Sequence, residues 1–204
     1  MKFFLLTFFL LTIFNCASTN KELTSYSSDI ISDQVKSCTG RGLISSVGNF
    51  SGNLTFTFMS QNDSSFCQFQ DFLGRKVLLL WLTRDSMDAW NLIENKKYSH
   101  SSISEIIPVL SILNPNHLIK FLWGEELISK QMSVPRQEKI EIKLGKSNPN
   151  SSFVDKAIFI DNKNRQELSI KIESRIFNQN YLDLKKYWDI ILVKREIINY
   201  HTSF

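Results

Sequence analysis

Lys76-Val77-Leu78-Leu79-Leu80-Trp81-Leu82 is the stretch whose reading decides the fold. Nothing polar follows the lysine for six positions. A strand in a sheet with one water-facing side alternates apolar and polar residues; this one is apolar on both faces and must be covered on both. Its neighbours upstream read as strands. Gly42 to Val47 is a short strand closed by Gly48-Asn49, and Asn53 to Phe58 alternates, with Leu54, Phe56 and Phe58 on one face. Gln61-Asn62-Asp63-Ser64 is a turn, Ser65 to Asp71 a third strand, and Phe72-Leu73-Gly74 the break before the fourth. Downstream, Ala89 to Glu94 reads as a fifth, weaker strand.

At Ser101 the period changes to a helical one. Ile103, Ile106, Ile107 and Leu110 recur behind serines able to cap, with Pro108 kinking or dividing the helix. Asn114-Pro115 starts a second helix, with Leu118, Phe121 and Leu122 on one face and Gly124 as the stop. Strands then return. Lys139 to Leu144 alternates, and Ala157 to Ile160 and Leu168 to Ile172 form a hairpin about Asp161 to Asn164. Asp189 to Tyr200 is either a last strand or, from Leu182 onward, helical. The order strands, two short helices, strands predicts a mainly β, α+β fold: a curved antiparallel sheet with the helices packed on one side, in its mouth.

The N-terminus has a separate meaning. Lys2 precedes an apolar run from Phe3 to Phe14, broken only by Thr7 and Thr12, and then come Asn15 and Cys16. A basic start and a short apolar core form a secretory signal. A spanning helix needs about 20 residues, more than this run supplies. Ile13-Phe14-Asn15-Cys16 resembles a relaxed bacterial lipobox, with Asn15 where Gly, Ala or Ser is usual. That resemblance makes Cys16 a lipidated mature N-terminus; the alternative is an ordinary signal cut near Ala17 or Ser18. The expected organisation is residues 1–15 as signal peptide, 16–34 as a lipidated flexible tether rich in Ser and Thr, and 35–204 as one folded domain.

Composition narrows the function. The net charge of +4 is spread without a basic block longer than a pair, which disfavours nucleic acid and leaves weak attraction to an anionic membrane surface. With Cys16 set aside, Cys38 and Cys67 fall on the first and third strands, nearly 10 Å apart at about 4.8 Å per strand, beyond the roughly 7 Å that a disulfide spans. Two free thiols are expected. Asn49, Asn53, Asn62 and Asn150 head N-x-Ser/Thr patterns, which arise by chance in so Asn- and Ser-rich a chain. His100, His117 and His201 lack metal-ligand spacing, and there is no G-x-S-x-G and no phosphate loop. No catalytic residue, metal or cofactor is expected.

Gly40-Arg41-Gly42-Leu43-Ile44-Ser45, Gly52 to Phe58, Phe72-Leu73-Gly74 and Leu113 to Gly124 together resemble the LolB family of outer-membrane lipoprotein insertion factors, within the LolA/LolB-like fold family. The likeness covers roughly residues 38 to 175 and rests on the order and spacing of these elements. Phe72 stands where the family often has proline, and the segment after Asn178 is longer than the family needs. The resemblance implies an incomplete β-barrel with short lid helices over an apolar cavity. It implies a monomeric, lipid-anchored protein of the outer membrane, facing the periplasm. Such a protein accepts lipoproteins from a periplasmic carrier of the same fold, binds their acyl chains and inserts them into the membrane. Leu54, Phe56, Phe58, Leu79, Trp81, Leu118 and Phe121 are the lining candidates, with plain core as the alternative for each. Leu73, between Phe72 and Gly74, matches the family's membrane-inserting leucine, with a buried turn leucine as the alternative. Two other functions stay open: a lipid-anchored carrier of another hydrophobic ligand, and a structural or surface-interaction lipoprotein without ligand.

Overall fold

The structure, a computed structural model, describes residues 35–48, 51–99, 115–125, 140–162, 165–186 and 188–189. The signal and Cys16, the tether to residue 34, the helix expected from Ser101 and the segment beyond 189 lie outside them. Nine strands form one antiparallel sheet: β1 (Ser37–Val47), β2 (Gly52–Gln61), β3 (Ser64–Gln70), β4 (Lys76–Thr83), β5 (Met87–Asn91), β6 (Lys96–Tyr98), β7 (Ile140–Gly145), β8 (Lys156–Asp161) and β9 (Gln166–Asn178). Among the described residues, the helix α1 (Pro115–Trp123) stands between β6 and β7 in the chain, and a short helical segment, α2, occupies 184–186 and 188–189. The strand order is β6-β5-β4-β3-β2-β1-β9-β8-β7, so the sheet does not close. It is an incomplete barrel.

Curvature follows from what the sheet encloses. One continuous core runs from Tyr98 of β6 to Phe159 of β8 and includes Leu118, Ile119, Phe121 and Leu122 of α1. Seven strand spacings are about 34 Å when flat, whereas a nine-residue helix is about 13 Å long and 10 Å across. The sheet curls around the helix. Gly40 and Gly42 of β1 make room at the bend. They pair with Phe58 and Phe56, and a Cβ on either glycine would come within 2.8 Å of those rings and closer still to the carbonyls of Ser174 or Lys171 on β9. The rings lie over bare backbone, and the β1–β9 register slips at Arg41/Gly42. This accommodation lets β1 start at Ser37, earlier than the Gly42 that propensity suggests.

The doubly apolar strand is covered on both sides, by two different structures. Leu78, Leu80 and Leu82 face α1 and the main core. Leu79 and Trp81 face the other way, into a second cluster with Phe66, Trp90, Leu184 and Trp188. The segment after β9 supplies that outer layer: Trp188 lies 6.2 Å from Trp81 at 19° and 5.8 Å from Phe66, and the Leu182 amide donates to the Gln61 side chain at 2.6 Å. Helices in the mouth of the sheet thus account for only one face of β4.

The fifth strand ends earlier than its pattern suggests. Asn91 accepts from the amides of Ile93 and Glu94, and Asn95 adopts φ +53, so residues 92–95 turn and Lys96–Tyr98 returns as β6. Cys38 and Cys67 are free and buried on β1 and β3, as the strand spacing requires.

Candidate functional site

Two features stand apart from ordinary core: the fixing of α1 and the turn at Asp71–Arg75. α1 starts at Pro115, whose fixed φ suits a first turn, and ends at Gly124, where φ is +87 and a side chain would run into Phe153. Its last carbonyls need partners beyond the regular helical ladder; the Gly124 amide turns back to that of Phe121 at 2.9 Å and the Glu125 amide to that of Lys120 at 3.0 Å. Arg175 of β9 fills that need: Nε donates to the Leu122 carbonyl at 2.8 Å, and Nη2 to those of Phe121 at 3.0 Å and Val154 at 2.6 Å. Burial lowers the Arg175 pKa to about 10, against the pull of Cys38 and Asp155, and the group remains charged at neutral pH. Trp123 Nε1 donates to Ser60 Oγ at 2.7 Å, and Ser60 in turn bonds Ser65 at 2.6 Å. The helix is therefore clamped at its C-terminal end to β9 and β2.

Five of the seven lining candidates meet between the helix and the sheet, Leu118 and Phe121 from α1 and the others from β2. Phe56, Phe58, Leu118 and Phe121 are buried in the main core, and Leu54 packs partly buried against it. The Phe56 ring sits 5.4 Å from Phe69 and 6.3 Å from Phe58. Leu79 and Trp81 belong to the other face, with the α2 segment. They are brought together with each other and not with the remaining five. The physical reason is strand parity: positions 79 and 81 of β4 point away from α1, and 78, 80 and 82 toward it.

The loop expectation lands on an unusual turn. Phe72 is 88% exposed and Leu73 61%. The pair stands on a turn whose backbone is braced by side-chain and backbone hydrogen bonds. Asp71 Oδ1 accepts from the amides of Leu73 and Arg75, both at 2.9 Å, and its Oδ2 receives Arg75 Nε at 2.8 Å and Nη2 at 2.7 Å. The Gly74 amide closes onto the Asp71 carbonyl at 2.9 Å, with Gly74 at φ +75, a left-handed conformation that favours glycine. Desolvation alone would raise the Asp71 pKa, but the hydrogen bonds from Arg75 and Leu73 and the Arg75 charge bring it below the usual carboxylate value. The buried-leucine alternative does not describe this turn.

Sequence reasoning missed Arg175, the Ser60–Trp123 contact and Trp188. Only the length of the segment after Asn178 hinted at the last. Among the described residues no helix is long and apolar enough to cross a membrane.

No family model matches the chain, and no curated protein matches it. Among solved structures, a crystal structure of a DUF1329 family protein from Desulfovibrio piger is similar, with a TM-score of 0.40 and 10% identity over 76% of this chain and 90% of that one. So distant a likeness says nothing of activity.

Proposed function

We propose that this chain is a lipid-anchored outer-membrane protein that holds the acyl chains of lipoproteins between α1 and the sheet and helps pass them into the bilayer. The observation that carries the reading is the Asp71–Arg75 turn. A bonded, left-handed turn that keeps Phe72 and Leu73 in water spends stability on exposure, and a bilayer is the medium in which that exposure is useful. Burying one leucine contributes about 1.5–3 kcal/mol. That is too little to anchor a body and enough to disturb lipid next to one already tethered through Cys16. The acyl site is narrowed to Leu54, Phe56, Phe58, Leu118 and Phe121. An acyl chain must be shielded in transit, since each exposed CH₂ costs about 0.8 kcal/mol. It enters by displacing the N-terminal part of α1, while the C-terminal end stays held through Trp123 and Arg175. The donor is a periplasmic carrier of the same fold.

The test is a comparison within one variant. Leu73→Glu leaves folding and binding of a fluorescent acyl probe unchanged and blocks delivery of a lipoprotein to liposomes. Phe56→Asp abolishes probe binding. If the folded parent never binds the probe, the five residues are plain core and the carrier reading fails. If Leu73→Glu delivers as the parent does, the turn has no part in transfer.

A further inference from the structure

The rim that carries Leu73 has a second apolar tip built the same way. β1, β3 and β5 run toward this rim and β2, β4 and β6 away from it. At it lie Val47, Phe72, Leu73 and Ile93, exposed by 62, 88, 61 and 72%. The opposite rim turns through Asn62-Asp63 and Arg84-Asp85, joined by an Arg84–Asp63 ion pair, and its exposed apolar residues, Ile176 and Tyr181, lie at and beyond the end of β9 rather than at these hairpin tips. Each apolar tip is held by a side-chain acceptor two residues before it: Asp71 takes the Leu73 amide, and Asn91 takes the Ile93 amide at 3.0 Å. The Leu92 amide donates to the Val77 carbonyl at 2.8 Å, which sets Ile93 level with Lys76, the first residue after the Asp71–Arg75 turn. The two tips are therefore adjacent, about two strand spacings or 10 Å apart, with Lys76 between them.

Charge around the two tips favours one kind of occupant. Arg75, Lys76, Lys96 and Lys97 stand against Asp71 and Glu94, with Lys97 over the Trp90 ring; Arg165 and Glu167, the latter paired with Val47, lie farther along the rim. Arg75 is tied to Asp71, and Glu94 accepts from the Tyr98 hydroxyl at 3.1 Å. Lys96 lies over the Tyr98 ring. Lys76 is exposed and has no ion-pair partner among the described residues. Apolar tips flanked by surplus cations match a bilayer surface of anionic phospholipid, where apolar burial and headgroup attraction add.

We propose that this rim is a two-tip docking surface for an anionic phospholipid bilayer: Leu73 with Phe72, and independently Ile93, enter the acyl region, while Lys76 and Lys96 meet headgroup phosphates. The inference rests on the reading of the Asp71–Arg75 turn as membrane-facing and adds a second insertion point and a lipid preference. It orients the sheet with its strands directed at the membrane.

The experiment places a polarity-sensitive dye at Ile93→Cys, Leu73→Cys or Asn62→Cys in the whole protein; Cys38 and Cys67 are buried and stay unlabelled. The protein is incorporated into vesicles of phosphatidylcholine alone or with phosphatidylglycerol, with brominated acyl chains as quencher. Expected are a blue shift and quenching at positions 93 and 73 in the anionic vesicles, and neither at 62. A cation at such a surface changes partition about fivefold per charge, so Lys76→Glu moves the position-93 probe toward water on the order of twentyfold. An aqueous probe at 93 beside an inserted probe at 73 overturns the two-tip surface and leaves the proposed function standing. Aqueous probes at both positions overturn the docking surface and the membrane role of the turn together. Equal insertion in neutral vesicles overturns the headgroup preference.

Discussion

Arg175→Met removes the clamp on α1 while keeping an apolar stem of similar length. Three hydrogen bonds are lost, at 2.6, 2.8 and 3.0 Å, all from a charged donor to backbone carbonyls. Bonds to charged groups contribute about 1.5–3 kcal/mol each, so the gross loss is about 5–9 kcal/mol. Against this stands the unfavourable burial of the guanidinium. A fall from 12.5 to about 10 corresponds to about 3 kcal/mol. The net destabilisation is then about 2–6 kcal/mol, or a thermal midpoint lower by about 4–24 °C for a domain of this size. Arg175→Lys keeps the charge but offers no planar fork to reach three carbonyls, and it recovers a minor part of the loss. Urea and thermal unfolding followed by tryptophan fluorescence read both variants, and Trp123 sits beside the lost bonds. A midpoint for Arg175→Met within about 2 °C of the parent, corresponding to less than about 1 kcal/mol, would refute the reasoning, because the carbonyls of Phe121, Leu122 and Val154 would then have found other partners at no cost.

Gly40→Ala places a Cβ 2.2 Å from the Ser174 carbonyl and 2.6 Å from the Phe58 ring, and overpacking of this kind costs about 1–3 kcal/mol; Gly52→Ala, with nothing within 4 Å, is the neutral control, and equal unfolding midpoints for the two would count against the close-packed bend. Trp188→Ala strips the outer layer from Trp81 and Phe66 and destabilises by about 3 kcal/mol in urea titrations, while Gln61→Ala, which removes only the bond to Leu182, costs about 1 kcal/mol. Cys38 and Cys67, both with pKa pushed up to about 12 by burial, react with a thiol reagent at pH 8 only after unfolding; labelling of the native protein at either would contradict the packing. Because the Asp71 pKa is depressed in the folded chain, its brace is fully present above the ordinary carboxylate pKa and is lost as pH falls through the lower folded value. Amide exchange at Leu73 and Arg75 therefore rises only in that acid range, with no change between pH 5 and 8 beyond intrinsic chemistry.

Much of the sheet was legible because local pattern and tertiary burial agree along it. Leu54, Phe56 and Phe58 alternate on β2, and Pro115 and Gly124 bound α1 where cap chemistry places them. The apolar run of β4 correctly demanded two covers. Pattern alone did not tell which residue met which cover, since Leu79 and Leu80 are chemically equal and only the distant Trp188 and Phe121 distinguish their sides. Ala89 to Glu94 looked like one strand because an Asn at position 91 is read as a weak strand residue, when its side chain ends the strand by accepting two amides. For Phe72 and Leu73, exposure and burial were equally open in sequence; the brace from Asp71 to Arg75 decides between them. Arg175 was invisible, because its value lies in carbonyls 21, 53 and 54 positions away.

The central pairing of β1 with β9 sets the order in which the molecule comes into being. Ser37 and Asn180 meet across 143 positions, while β2 to β6 need only neighbouring turns. A chain emerging from its N-terminus can form the meander early, yet β1 lacks its second partner, and Leu79 and Trp81 lack their cover, until nearly the whole sequence is available. Loop closure over that distance is slow, and the waiting meander is adhesive on both faces. A chain of this topology stays open to self-association until β9 docks beside β1 and the segment after it covers Leu79 and Trp81.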